Sequence, residues 1–249
     1  MTIHEGLTIS SSDQLYALVK SGAEFRNCDF DNAELADFDA DEMSLVDCSL
    51  RNVDFLNLTC VGIRIVGSDL ERACFDRADI KEAQIDSSNF TSATFRNAKL
   101  NLARLVKCEL SLCNFDGASL FATDFEGSRL RGVDFSHAEL DSANVNNVDF
   151  SMATLRFKKF RNKKLVGVDF SEADLSGCDF TGTEFEGCRL NSSILSEETV
   201  LDGADLRGAY ISESQLDKAS LKGAIMTAAQ AHYLLFEKYG IVVADDLEA

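Results

Sequence analysis

Three kinds of side chain in this sequence have the chemistry of a nucleophile, a base or a metal ligand: eight cysteines, three histidines and 42 carboxylates. No C-x-x-C pair or histidine cluster has zinc spacing. His4, His137 and His232 are scattered, each without a neighbour at ligand or triad spacing. G-x-G-x-x-G, a Walker loop and H-E-x-x-H are all missing from the sequence. Acids outnumber bases 42 to 24, a formal charge of −18. Such a balance argues against direct nucleic-acid binding and for solubility or a basic partner. One segment reverses the sign: Arg156, Lys158, Lys159, Arg161, Lys163 and Lys164 put six bases into nine residues. It reads either as a contact for an acidic surface or DNA, or as a charge-balancing irregularity on an acidic protein. The carboxylates sit singly, so an enzyme, a cofactor, a metal and a small-molecule substrate are not expected.

The elements that carry these groups follow from a repeat. Every fifth residue from Phe25 to Leu195 is apolar, 35 positions without an insertion, and only Ala40 and Cys60 among them are small. One residue is then inserted, and the period resumes at Leu201, Leu206, Ile211, Leu216, Leu221 and Met226. A period of five suits neither a helix nor a flat strand. It suits a coil that turns a corner every five residues and sends one large side chain inward per side. The residue two before each large one is usually small, as at Ala33, Val53, Ala73 and Val133. The residue between points outward and is usually polar, as at Asp29, Asp69 and Asp79, and glycine recurs at the corner, as at Gly117 and Gly132. The chain has no proline, which fits a backbone hydrogen-bonded coil to coil.

Six cysteines (Cys28, Cys48, Cys108, Cys113, Cys178 and Cys188) fall at the small inward position, Cys60 falls at a large one, and only Cys74 is expected to point out. They read as core residues of a reducing, cytoplasmic protein. No stretch approaches the ~20 apolar residues of a membrane span, and no leader peptide is evident.

Segments such as Ala204-Asp205-Leu206-Arg207-Gly208 and Ala173-Asp174-Leu175-Ser176-Gly177 resemble the A(D/N)LxX unit of pentapeptide repeat proteins. The resemblance covers about residues 23–226. It implies an all-β solenoid, a right-handed quadrilateral β-helix of four units per coil and about 10 coils, roughly 50 Å long at the ~4.8 Å strand spacing. On such a coil the most negative side carries Glu34, Asp37, Asp54, Asp76, Asp116, Asp134, Asp174 and Glu197, eight acids against three bases. Lys158 and Lys163 fall at small inward positions. A local bulge that turns them out, or partnership with acids such as Glu139 and Asp179, is expected there. Leu56, Leu102, Phe121 and Phe157 are the apolar residues expected on the surface.

Both ends leave the period. Over residues 1–22, Ser11 and Gln14 stand at capping-box spacing, and Leu15, Leu18 and Val19 follow as the apolar stripe of a short plugging helix that Gly22 would stop. Over residues 227–249 the reading is a helix ended by Gly240, a short strand at Ile241-Val242-Val243, and a fraying acidic tail, Asp245-Asp246-Leu247-Glu248. Gln230 to Val243 resembles the terminal module of Qnr-type quinolone-resistance proteins and their mycobacterial and albicidin-resistance relatives. That resemblance implies a homodimer through Leu234, Leu235, Phe236, Tyr239, Ile241 and Val243. It also implies an acidic, DNA-shaped rod that occupies the DNA-binding saddle of DNA gyrase or topoisomerase IV. Qnr-type proteins carry projecting loops, and none interrupts the period here between Phe25 and Leu195. The alternative is a structural or scaffolding repeat protein with an unrelated protein partner.

Overall fold

A computed structural model describes residues 2–19, 22–40, 42–140 and 142–243. The acidic tail from Asp245 to Glu248 lies outside the described residues. The chain divides into two units, Met1–Thr154 and Leu155–Ala249, each a β-solenoid, with about ten turns between them.

In the first unit, β1 (Ile3–Glu5), β2 (Glu24–Arg26), β3 (Ser44–Val46), β4 (Arg64–Val66), β5 (Gln84–Asp86) and β6 (Arg104–Val106) form one parallel sheet in chain order. Register is strict: Phe25 pairs with Leu45, Leu45 with Ile65, Ile65 with Ile85 and Ile85 with Leu105, each 20 residues apart. The other sides hold single bridges with the same stagger, as in the column Glu34, Asp54, Cys74, Thr94, Asn114, Asp134 and Thr154. A stagger of 20 over sides of five makes each coil four-sided, so every fifth residue returns to the interior. All 35 positions of the uninterrupted run are buried. Phe75, Phe95, Phe115 and Phe135 stack with centroids 5.2, 4.9 and 5.7 Å apart and planes within 10°.

The corner is a turn that needs one left-handed residue. Between Phe30 and Ala33 the chain closes an Ala33 N to Phe30 O bond of 2.9 Å around Asn32 at φ +58°. That is the geometry of a type II turn, which favours glycine or asparagine at its third position.

The amino-terminal end differs from expectation. β1 pairs in parallel with β2, so a rung precedes the repeat. Its inward residue is His4, opposite Phe25 and stacked on it at 5.1 Å, a polar ring that a search for apolar periodicity passes over. Helix α1 (Ser12–Leu18) follows, buries Leu15, and ends at Val19, short of Gly22. Ser11 is its extended N-cap but makes no side-chain cap; Gln14 Oε1 instead accepts from Ser10 N at 2.8 Å and Ser10 Oγ at 3.2 Å. Tyr16 packs on Phe38, and its hydroxyl accepts from Asp39 N at 3.3 Å.

The second unit carries β7 (Lys164–Val166), β8 (Glu184–Arg189) and β9 (Asp205–Tyr210) in one parallel sheet, then helix α2 (Ala228–Tyr239). The inserted residue is absorbed at one corner: Asp174 pairs with Ile194 at 20, but Asp179 pairs with Val200 at 21. Buried Thr199 fills the widened turn, its Oγ1 accepting from Ser196 N at 3.0 Å and Gly177 N at 3.1 Å. A second slip comes at Gly208, which stands opposite Glu186.

α2 stops at left-handed Gly240, as expected, and opens with a Thr227–Gln230 capping box that the sequence reading did not include. Its polar side chains serve the last coil. Gln230 Nε2 donates to Leu206 O at 2.7 Å and Ala209 O at 2.9 Å, Tyr233 Oη accepts from Glu213 N at 2.7 Å, and Lys238 Nζ donates to Asp217 O at 2.7 Å. Ile241-Val242-Val243 is not a strand. A strand needs a neighbouring backbone, and two carbonyls of edge strand β9 are taken by Gln230.

Candidate partner-binding surface

The recurrent outward acid is first a turn cap. Asp54 accepts from Leu56 N at 2.9 Å, Asp134 from Ser136 N at 2.8 Å and Ser136 Oγ at 2.6 Å, and Asp174 from Ser176 N at 3.0 Å. Asp29, Asp69, Asp124, Asp149, Asp169, Asp179 and Asp205 repeat the same i to i+2 bond. An Asx-type bond of this kind stabilises the corner that follows. Counted as charges these acids are only surface, but the recurring Asp or Asn of the A(D/N)LxX unit is the sequence signal of the cap.

In the first unit, Glu34, Asp37, Asp116 and Asp134 are exposed and Asp54 is half-buried. Glu34 and Asp54 are neighbouring rungs, whereas Cys74, Thr94 and Asn114 separate Asp54 from Asp134. Asp37 is itself a left-handed corner residue and accepts from Asn57 Nδ2 at 2.8 Å. Asp116 meets His137 Nδ1 at 2.7 Å. Asp76 does not belong to a free acidic face. It is buried, and it binds the Arg96 guanidinium through Nε at 2.7 Å and Nη2 at 2.5 Å, and Arg96 N at 2.9 Å. Burial pushes the Asp76 carboxyl upward, but the hydrogen bonds from Arg96 and Thr94 outweigh it and hold the group below 3.8. A carboxyl depressed on folding adds stability that is complete above its unfolded value and is lost as pH falls through the folded one. We therefore expect the urea midpoint to drop as pH falls below about 4. Asp76→Asn is expected to flatten that drop and to lower the midpoint at neutral pH, both read by denaturation at a series of pH values.

In the second unit, the basic segment keeps the repeat. Leu155, Phe160 and Leu165 stay buried, and the corners close with Lys158 N to Leu155 O at 3.1 Å and Lys163 N to Phe160 O at 3.2 Å. The expected bulge is therefore not formed. It would break coil-to-coil bonds such as Asp179 N to Lys158 O at 2.9 Å. Lys158 is buried and Lys163 half-buried, while Arg156, Lys159, Arg161 and Lys164 are exposed. Arg156 meets Asp174 at 3.9 Å, Arg161 meets Asp179 at 3.2 Å and Lys164 meets Glu186 at 2.7 Å, each an acid one coil on. This pairing matches charge balancing more closely than a free basic patch.

Leu102, Phe121 and Phe157 are exposed as expected, but Leu56 is half-buried. Leu234 and Leu235 are half-buried, while Phe236, Tyr239, Ile241 and Val243 are exposed. Seven of the eight cysteines are buried, and none is paired in a disulfide. Burial pushes the thiols up, to about 11 at Cys48 and Cys188 and about 12 at Cys108 and Cys178. At ordinary pH these groups are neutral packing atoms. No helix among the described residues is long and apolar enough to cross a membrane.

A family model described as pentapeptide repeats matches residues 73–111, 88–127, 118–156, 159–196 and 197–228, more than half of the chain. Among solved structures, a trypsin-treated variant of QnrB1, a plasmid-mediated fluoroquinolone resistance protein, is similar at 19% identity and a TM-score of 0.49, over 98% of this chain and 100% of its own. HetL, a pentapeptide repeat protein involved in heterocyst differentiation regulation in the cyanobacterium Nostoc sp. strain PCC 7120, is similar at 25% identity and a TM-score of 0.35, over 86% of this chain and 94% of its own. A search of curated protein sequences found no match.

Proposed function

The chain belongs to the pentapeptide repeat family, and from that membership we propose a protein-binding, non-enzymatic role as a dimeric acidic solenoid that occupies the DNA-binding saddle of a type II topoisomerase. The observation that carries this reading is a net charge of −18 joined to a carboxyl end where Phe236, Tyr239, Ile241, Val242 and Val243 stand exposed. Exposed carboxylates such as Glu34, Asp37, Asp116 and Asp134 would stand where phosphates stand on DNA. A second copy would cover the apolar end, supplying the backbone that segment 241–243 lacks. Affinity built on such charge weakens as salt rises.

The test is a gyrase supercoiling assay titrated with the protein, with and without a fluoroquinolone. We expect inhibition or drug rescue at micromolar protein or below, lost when Glu34, Asp37 and Asp134 are reversed to lysine. No effect on gyrase or topoisomerase IV would leave the scaffold reading, which Leu102, Phe121 and Phe157 favour because their exposed side chains suit an apolar contact. That contact should be insensitive to salt.

A further inference from the structure

Corner residues with left-handed backbone are mostly glycine, asparagine, aspartate, serine or a long charged side chain. Apolar residues take that conformation at Leu102, Leu112, Ala122, Met152 and Phe157. A branched or bulky residue at positive φ is strained, and strain of this kind collects where a side chain is needed for function. Leu112 and Met152 share one corner of the first unit, two coils apart, at φ +60° and +59°. Leu112 is 63% exposed and Met152 45%. Between them lies Gly132, where a Cβ would come within 3.1 Å of Leu112 Cδ2, so the leucine lies flat along the corner. Arg131 borders the stripe. Its Nη2 reaches Met152 Sδ at 3.1 Å, and it makes no ion pair among the described residues, in a chain where acids outnumber bases 42 to 24. On the other flank stand Asn114, Asp116, Asp134 and His137.

We propose that Leu112, Gly132 and Met152, with Arg131, form a docking stripe for a peptide segment of a protein partner that offers an apolar side chain beside a carboxylate. The apolar side chain covers the stripe, and the carboxylate takes the donors that Arg131 leaves to solvent. Asp116 and Asp134 repel a second acid on the far side, which orients the segment. This surface is independent of the topoisomerase reading, because a saddle that holds DNA is basic.

The experiment selects a phage-displayed dodecapeptide library on the full chain and measures the enriched peptides by fluorescence anisotropy. We expect a large apolar residue next to an acid. Affinity should fall at least tenfold in the double variant Leu112→Asn with Met152→Asn, and the preferred acid should turn to a base in Arg131→Glu. Asparagine favours the left-handed corner, so the melting temperature of the double variant should not fall. Ala122→Asn, at the diagonally opposite corner and also left-handed, should leave binding intact. No enrichment, a consensus without an acid, unchanged affinity in the double variant, or equal loss in Ala122→Asn would overturn the proposal. So would a smaller sedimentation coefficient for the double variant, which would assign the stripe to a second copy of this chain.

Discussion

Phe95→Ala is expected to lower the unfolding free energy by about 3–5 kcal/mol, the range for a fully buried phenylalanine cut back to alanine. Phe95 has no exposed surface, and its ring lies between Phe75 at 5.2 Å and Phe115 at 4.9 Å, nearly parallel to both. Alanine removes the ring's buried area and two stacking contacts, and backbone bonds on both sides stop the coils from closing on the void. Those bonds include Phe95 N to Asn114 O at 2.7 Å and Phe75 N to Thr94 O at 2.7 Å. Phe95→Leu keeps most of the volume and should cost under about 1.5 kcal/mol. Phe121→Ala, at an exposed corner, should change stability by no more than about 0.5 kcal/mol. Urea denaturation followed by far-ultraviolet circular dichroism checks all three. Equal losses for Phe95→Ala and Phe121→Ala would refute the stacked column as a source of stability.

Gly208→Ala is expected to cost about 2–4 kcal/mol, for a backbone reason. A Cβ at residue 208 would sit 2.4 Å from Phe185 O and 3.2 Å from Glu186 Cα. Both are main-chain atoms held in the β8–β9 ladder, so neither swings aside as a side-chain tip would. The residue lies at the slip where Glu186 faces Gly208, and there the two strands run too close for any side chain. Gly203, with φ at +69° and no atom within 4 Å of its missing Cβ, is the comparison. Gly203→Ala should cost only the conformational preference, about 1 kcal/mol. Differential scanning fluorimetry separates the two, and a Gly208→Ala variant as stable as Gly203→Ala would show that β8 and β9 can part without loss.

The period of five was legible because burial depends on residue type and spacing alone. A residue at Phe25 and every fifth one after it must face the same interior, and the one-residue insertion before Leu201 was visible as a phase shift in that spacing. The corner residues and the buried cysteines followed from the same alternation. Features that depend on what a side chain meets across coils were not legible. Asp76 carries the same letter as exposed Asp116 and differs in what it meets, the side chain and backbone N–H of Arg96. His4 counts as polar in a sequence yet fills an inward place, since Phe25 offers it a stacking face. Tyr16, Gln230 and Tyr233 give no periodic signal, but they complete the hydrogen bonds of the end coils. Segment 241–243 has the composition of a strand and lacks the partner that would make it one. Burial in a repeat is a property of position along the chain, so the sequence by itself determined the coil, its corners and its interior. Charge pairing, end closure and strand formation are properties of pairs distant in sequence, and only the tertiary structure decided those.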